Sequence, residues 1–125
     1  MNVSKIMRVA IATDKNILIG EAAKLMIKKR ISSLIFIKEN KLEGIITRED
    51  VVRNFGKEKT ISSVMGKNII SISPEESLEK ASKIMKKNRI SHLPVVKDGE
   101  LEGIISSRDI ALALCKSEGG EFVFE

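Results

Sequence analysis

Apolar residues recur along the chain at two spacings. Ile19, Ala22, Ala23 and Met26 fall at i, i+3, i+4 and i+7, and Leu78, Ala81, Ser82 and Met85 repeat that spacing. This is the period of a helix burying one face. A short apolar run that reads as a strand precedes each helix, "VAIAT" in the first case and "NIISIS" in the second. Two β-rich runs follow each, around Glu39-Asn40-Lys41 and around Asp98-Gly99-Glu100, and Asp-Gly between apolar runs is a strong hairpin signal. "REDVVRNF" and "SRDIALALCK" then read as closing helices. In the second copy "SPEES" leads into the helix: Ser73 or Ser77 offers the cap, and Pro74 with the two glutamates suits a helix start. The pattern predicts β-α-β-β-α, twice.

Aligning Met26 with Met85 sets "MIKKRISSLIFIKENKLEGIITREDVVRNF" over "MKKNRISHLPVVKDGELEGIISSRDIALAL" without a gap. Upstream, "VSKIM" matches "ISSVM". Nearly the whole chain is a tandem duplication, which a search for internal periods is designed to find. The repeats are expected at 1–57 and 58–118, joined around Gly56-Lys57-Glu58-Lys59, with a tail at 119–125. One repeat alone would struggle to bury a core. The expected fold is therefore α/β (α+β): two pseudo-twofold-related repeats packed through their sheets as one module. The end of the chain, "SEGGEFVFE", reads either as a free end or as an added strand docking on a partner, and its two phenylalanines favour the second.

Composition narrows the chemistry. The 125 residues are 42% hydrophobic and 31% charged, as in a folded soluble domain. No apolar run approaches the ~18 residues of a membrane span, and the N-terminus lacks a signal-peptide pattern, so a cytoplasmic location is expected. Cys115 is the single cysteine, which leaves no internal disulfide and no multi-cysteine zinc site; in "IALALC" it reads as a small buried hydrophobe more readily than as a reactive thiol. His92 is the single histidine, so histidine-based metal sites and Ser-His or Cys-His catalysis have almost nothing to draw on. A net charge of +5 favours anions, but lysines and glutamates are interspersed. With four Phe and no Trp or Tyr, the stacking platforms of single-strand nucleic-acid binders are missing. Abundant Lys, Glu and Ile without Gln resembles thermophile composition.

The most informative repeat is "GIITRED", Gly44 to Asp50, returning as "GIISSRD", Gly103 to Asp109. Thr47 to Asp50 and Ser106 to Asp109 have the [ST]-x-x-D spacing of a capping box, and Gly44 and Gly103 read as a bulge or a close backbone approach. A second reading is a ligand site. A helix N-terminus offers unpaired amides, beside which stand a hydroxyl, a carboxylate able to accept from two vicinal sugar hydroxyls, and Arg48 or Arg108. That set suits a nucleoside phosphate. It does not suit catalysis, because no general base, nucleophile or metal cluster accompanies it. The chain is read as a non-enzyme with no obligatory cofactor and no metal site.

"EAAKLM" and "EKASKIM", "RISSLIFI" and "RISHLPVV", Met7 and Met65, and the two "LEGII[TS]xxD" phrases together resemble a tandem pair of cystathionine-β-synthase (CBS) domains, the module often called a Bateman domain, over about residues 1 to 117. The resemblance implies a regulatory module for adenosine derivatives: AMP, ADP, ATP or S-adenosylmethionine. It implies that Asp50 and Asp109 hold ribose hydroxyls with Thr47 and Ser106 beside them, and that Ile45, Ile104, Ile31, Ile90 and Pro94 line base pockets. Arg48, Arg108, Ser32, Ser91 and His92 fall to the phosphates, although His92 reads equally as an ordinary rim histidine. The implied clefts lie between the repeats, with Ile90 and Ser91 serving Asp50, and Ile31 and Ser32 serving Asp109. The first repeat has Ile35 where the second has Pro94, so the two base pockets should differ. A disc-like homodimer is implied, read by a separate effector protein because no effector domain stands in the sequence. The rival expectation is a basic protein-interaction or nucleic-acid-binding protein in which the [ST]-x-x-D motifs are only caps.

Overall fold

The structure is a computed structural model and describes residues 1–117; the tail and its docking-strand reading lie outside them. The described chain is mixed α/β with two sheets, and it forms two compact bodies. One body is Ala10–Ile69. The other joins Met1–Val9 to the described residues 70–117.

In the first-repeat body, β1 (Ala12–Thr13) lies parallel to β2 (Ser33–Lys38), which pairs antiparallel with β3 (Lys41–Thr47). Helices α1 (Ile19–Lys29), α2 (Arg48–Arg53) and α3 (Ile61–Val64) complete it. The stripe read from the sequence is the buried one: Ile19, Ala22 and Met26 pack with Leu34, Phe36, Ile46 and Ile61. The hairpin turns through Glu39 and Asn40, both at positive φ, the two-residue form whose twist matches its strands.

The second-repeat body repeats this with α4 (Leu78–Asn88), β4 (His92–Lys97), β5 (Glu100–Ser106) and α5 (Ser107–Ser117). Leu78, Ala81 and Met85 are buried against Leu93, Val95, Ile105 and Ile110, while Ser82 is exposed and Ile84 packs at the edge. Asp98 and Gly99 make the hairpin turn, again both at positive φ.

Two expectations are corrected here. "NIISIS" is not a strand: only Ile72 bridges to β4, its N–H donating to the Pro94 carbonyl at 3.0 Å and its carbonyl accepting from Val96 at 2.9 Å. Proline stops the ladder on both sides. Pro94 has no N–H for the carbonyl of Ile70, and Pro74 has none to donate onward. In the first repeat Ile35 stands where Pro94 does, and its N–H donates to Ile11 at 3.0 Å. The second correction concerns "SPEES". Pro74-Glu75-Glu76 form a turn ahead of α4 rather than its first residues. Ser77 is the N-cap, accepting from the Lys80 N–H at 3.1 Å, while Ser73 accepts from Glu75 within the turn. Replacing Ser77 by alanine is expected to destabilise the fold by about 1 kcal/mol, read as a shift in urea midpoint. An unchanged midpoint would mean water serves the Lys80 amide equally well. Leu18, at the same place before α1, has no side-chain acceptor, and only its own N–H is held, by Glu21 at 3.2 Å.

The compact bodies do not coincide with the sequence repeats at 1–57 and 58–118, because the leading segments are exchanged. Val3, in a single 3-10 turn (Val3–Lys5), is fully buried in the second-repeat core. Ile61, its counterpart in "ISSVM", is fully buried in the first-repeat core. The attachments match. The Val3 N–H donates to Glu76 and Leu78 donates to Met1; likewise Ile61 donates to Ile17 and Ile19 donates to Lys59. Each core is thus completed by a short segment from the other repeat.

Candidate functional site

β3 runs into α2 with no intervening loop, and β5 runs into α5 in the same way. Strand alternation sorts the shared phrase. Ile46 and Ile105 point into the cores and are fully buried, whereas Ile45 and Ile104 are half-buried on the other face. Thr47 stands as N-cap in extended conformation, and its N–H donates to Oδ2 of Asp50 at 2.9 Å. The Thr47 hydroxyl also meets that oxygen at 3.1 Å, and the Asp50 N–H reaches the hydroxyl at 3.5 Å. At the second junction the Ser106 N–H donates to Oδ2 of Asp109 at 3.2 Å and the Asp109 N–H donates to the Ser106 hydroxyl at 3.1 Å. Both phrases are therefore reciprocal capping boxes. The box orients each carboxylate through one oxygen, and both aspartates stay partly buried in the first turns of their helices.

The shared glycines have a spatial reason. A Cβ on Gly103 would stand 2.7 Å from the carbonyl oxygen of Arg8, and a Cβ on Gly44 would run into the side chain of Met65. These neighbours belong to the exchanged leading segments: Arg8 bridges Ile104, and Gly66 bridges Ile45. Each pairing also shifts register beside its glycine, between Phe36 and Ile37 and between Val95 and Val96, while the close backbone approach is made at Gly103 and a side-chain approach at Gly44.

The remaining candidates divide. Ser32 and Ser91 come to the helix starts by backbone: the Arg48 N–H donates to the Ser32 carbonyl at 3.2 Å and the Ser107 N–H to the Ser91 carbonyl at 2.9 Å. His92 pairs across the hairpin with Ser106, and its Nδ1 lies 3.2 Å from the Ser91 hydroxyl. Ile31 and Ile90 are half-buried against their own cores, directly after Arg30 and Arg89, which end α1 and α4 in the left-handed conformation. Pro94 is fully buried opposite Ile104. Arg48 is exposed and faces an open depression of about 440 Å³ on the helical side, shared with Ala23, Met26, Ile27, Arg30, Ile31, Val51 and Val52 and not with Asp50. Arg108 is exposed. Cys115 is partly buried in α5.

One residue beside the site was missed. Arg8 Nε donates to Oδ1 of Asp109 at 2.9 Å. Its signal in the sequence was a difference: after the shared Met7 and Met65, the repeats carry Arg8 and Gly66. Among the described residues no group of three or more His, Cys, Asp or Glu side chains could hold a metal ion. No described helix is long and apolar enough to cross a membrane.

These features define a class of protein: a duplicated α/β module with a capped carboxylate at each strand-to-helix junction. The family model for the CBS domain matches residues 3–57 and 61–116, and the chain belongs to that family. It is 38% identical over 113 residues to a homoserine O-acetyltransferase of Methanohalobium evestigatum, covering 87% of this chain and 23% of that protein. The chain thus spans about a quarter of that relative. Among solved structures, the CBS domain pair of protein MJ0100, in complex with 5′-methylthioadenosine and S-adenosyl-L-methionine, is similar at TM-score 0.87 and 35% identity, covering 94% of this chain and 98% of that one. A hexameric CBS-CP12 protein from bloom-forming cyanobacteria is similar at TM-score 0.85 and 26% identity, covering 99% of this chain and 77% of that one.

Proposed function

We propose that the chain is a non-catalytic regulatory module that binds adenosine derivatives at its two Gly-x-x-[ST]-x-x-Asp junctions and signals to a separate partner by a change of conformation. The observation that carries this is the doubled junction itself: in each copy a partly buried aspartate is oriented through Oδ2 by its own cap, a geometry suited to clasping a ribose diol. The adenosine ligands of the MJ0100 domain pair support the ligand class. Asp50 with Thr47 and Asp109 with Ser106 take the riboses, and Ile45, Ile104, Ile31 and Ile90 take the apolar side of the bases. Ser32, Ser91, His92, Arg48 and Arg108 serve ligands that carry phosphates. The module acts as a homodimer in the cytoplasm.

Isothermal titration with AMP, ATP, S-adenosylmethionine and 5′-methylthioadenosine tests this reading. At least one of them is expected to bind below millimolar. Asp50→Asn and Asp109→Asn are each expected to weaken their own site about tenfold, the loss of a hydrogen bond to a charged group. Undiminished binding by the double variant would remove the ribose assignment, and the absence of any binding would remove the function.

A further inference from the structure

The two junctions are not chemically equal, and the difference lies in the exchanged leading segment. Arg8 is fixed against β5 by a pair of backbone bonds: its N–H donates to Ile104 at 2.8 Å and its carbonyl accepts from Ile104 at 2.9 Å. From that anchor its side chain, 69% exposed, covers Oδ1 of Asp109, whose side chain is only 10% exposed. The other oxygen, Oδ2, is held by the Ser106 N–H. Both carboxylate oxygens are thus engaged before any ligand arrives. At the matching place in the first-repeat body stands Gly66, whose N–H donates to Ile45 at 3.3 Å. It brings no side chain, and among the described residues no guanidinium reaches Asp50.

We propose that Arg8 is an intrachain guard on the Asp109 junction, competing with the ribose for the carboxylate and making Asp50 the readier of the two sites. The inference rests on the adenosine reading above. A vicinal diol donates two O–H bonds; Arg8 Nε takes one of the two lone pairs of Oδ1 and the Ser106 N–H one of those of Oδ2, so the diol must share Oδ1 with the guanidinium or displace it. An ion pair this exposed is weak, so the guard yields to ligand and lowers affinity by only about two- to fivefold. It is screened by salt. An uncharged adenosine should therefore bind the Asp109 junction better as salt rises, and the Asp50 junction should show no such gain.

The test uses the intact 125-residue chain and 5′-methylthioadenosine, which carries no phosphate to attract Arg8 in its own right. Asp50→Asn weakens the open junction so that the guarded one dominates the titration, and Asp109→Asn does the reverse. Adding Arg8→Gly to Asp50→Asn is expected to raise affinity about two- to fivefold and to abolish the gain with salt. Adding Gly66→Arg to Asp109→Asn is expected to lower affinity by a similar factor. If Arg8→Gly leaves the guarded junction unchanged or weakens it, only the guard falls. If no variant binds the compound and wild type binds neither it nor AMP, the adenosine reading falls and takes the guard with it.

Discussion

Replacing Ile61 by alanine is expected to destabilise the first-repeat body, not the repeat to which Ile61 belongs by sequence. Ile61 is fully buried among Ile19, Ala22, Met26, Leu34, Phe36 and Ile46, all from the first repeat. Truncating a buried isoleucine costs about 2–5 kcal/mol, from lost transfer energy and from the cavity left behind. Hydrogen exchange under native conditions locates the loss. Protection is expected to fall at the amides of β2 and β3, with β4 and β5 less affected. Val3→Ala should do the converse and with a smaller effect, since valine loses fewer atoms and its neighbours are Leu78, Met85, Leu93 and Ile105. If Ile61→Ala weakened β4 and β5 first, the exchange of leading segments would be wrong.

That exchange marks the limit of what the sequence makes legible. The helix stripes, the hairpins and the duplication follow from spacing, because a period of 3.6 or 2 is a local property that any reader of the chain can count. The capping boxes are local too: Thr47 to Asp50 and Ser106 to Asp109 close over three residues. Which core receives "VSKIM" and which receives "ISSVM" is a long-range matter. Both segments carry a branched apolar residue followed four places on by methionine, so either would satisfy either core, and periodicity is silent on the choice. The failed strand "NIISIS" has the same origin. Its own residues favour β structure, but Pro94, more than twenty positions away, withholds the amide that a second ladder rung needs.

The candidate site was legible in its chemistry and not in its symmetry. The glycine, hydroxyl and aspartate stand where the repeat placed them. Arg48, expected at the phosphate, lines the depression between α1 and α2. A helix turns its first and third residues about 200° apart, so the arginine one place after the cap and the aspartate three places after it point to different sides. Arg8 could be found only by asking where two similar repeats differ.

The same contrast sets the second large effect, which separates the two shared glycines. Gly103→Val is expected to destabilise the protein by about 3 kcal/mol, and Gly44→Val by distinctly less, in urea unfolding. At Gly103 the nearest atom to a new Cβ is the backbone carbonyl of Arg8 at 2.7 Å, and that carbonyl is itself bonded to the Ile104 N–H. Relieving the contact means breaking the bridge, so the strain of overpacking has no soft outlet. At Gly44 the nearest atoms are Sδ, Cγ and Cε of Met65, all in an unbranched side chain with three rotatable bonds and none in backbone. Methionine re-packs at little cost, and Met65 is only half-buried, so space is open to it. Equal losses at the two positions would mean that the leading segments press on their strands alike and that the nature of the contacting atom is irrelevant. A larger loss at Gly103 would also carry into ligand binding. Displacing the Arg8 backbone moves the anchor from which its guanidinium reaches Asp109, so affinity at that junction should shift while the Asp50 junction stays as it was.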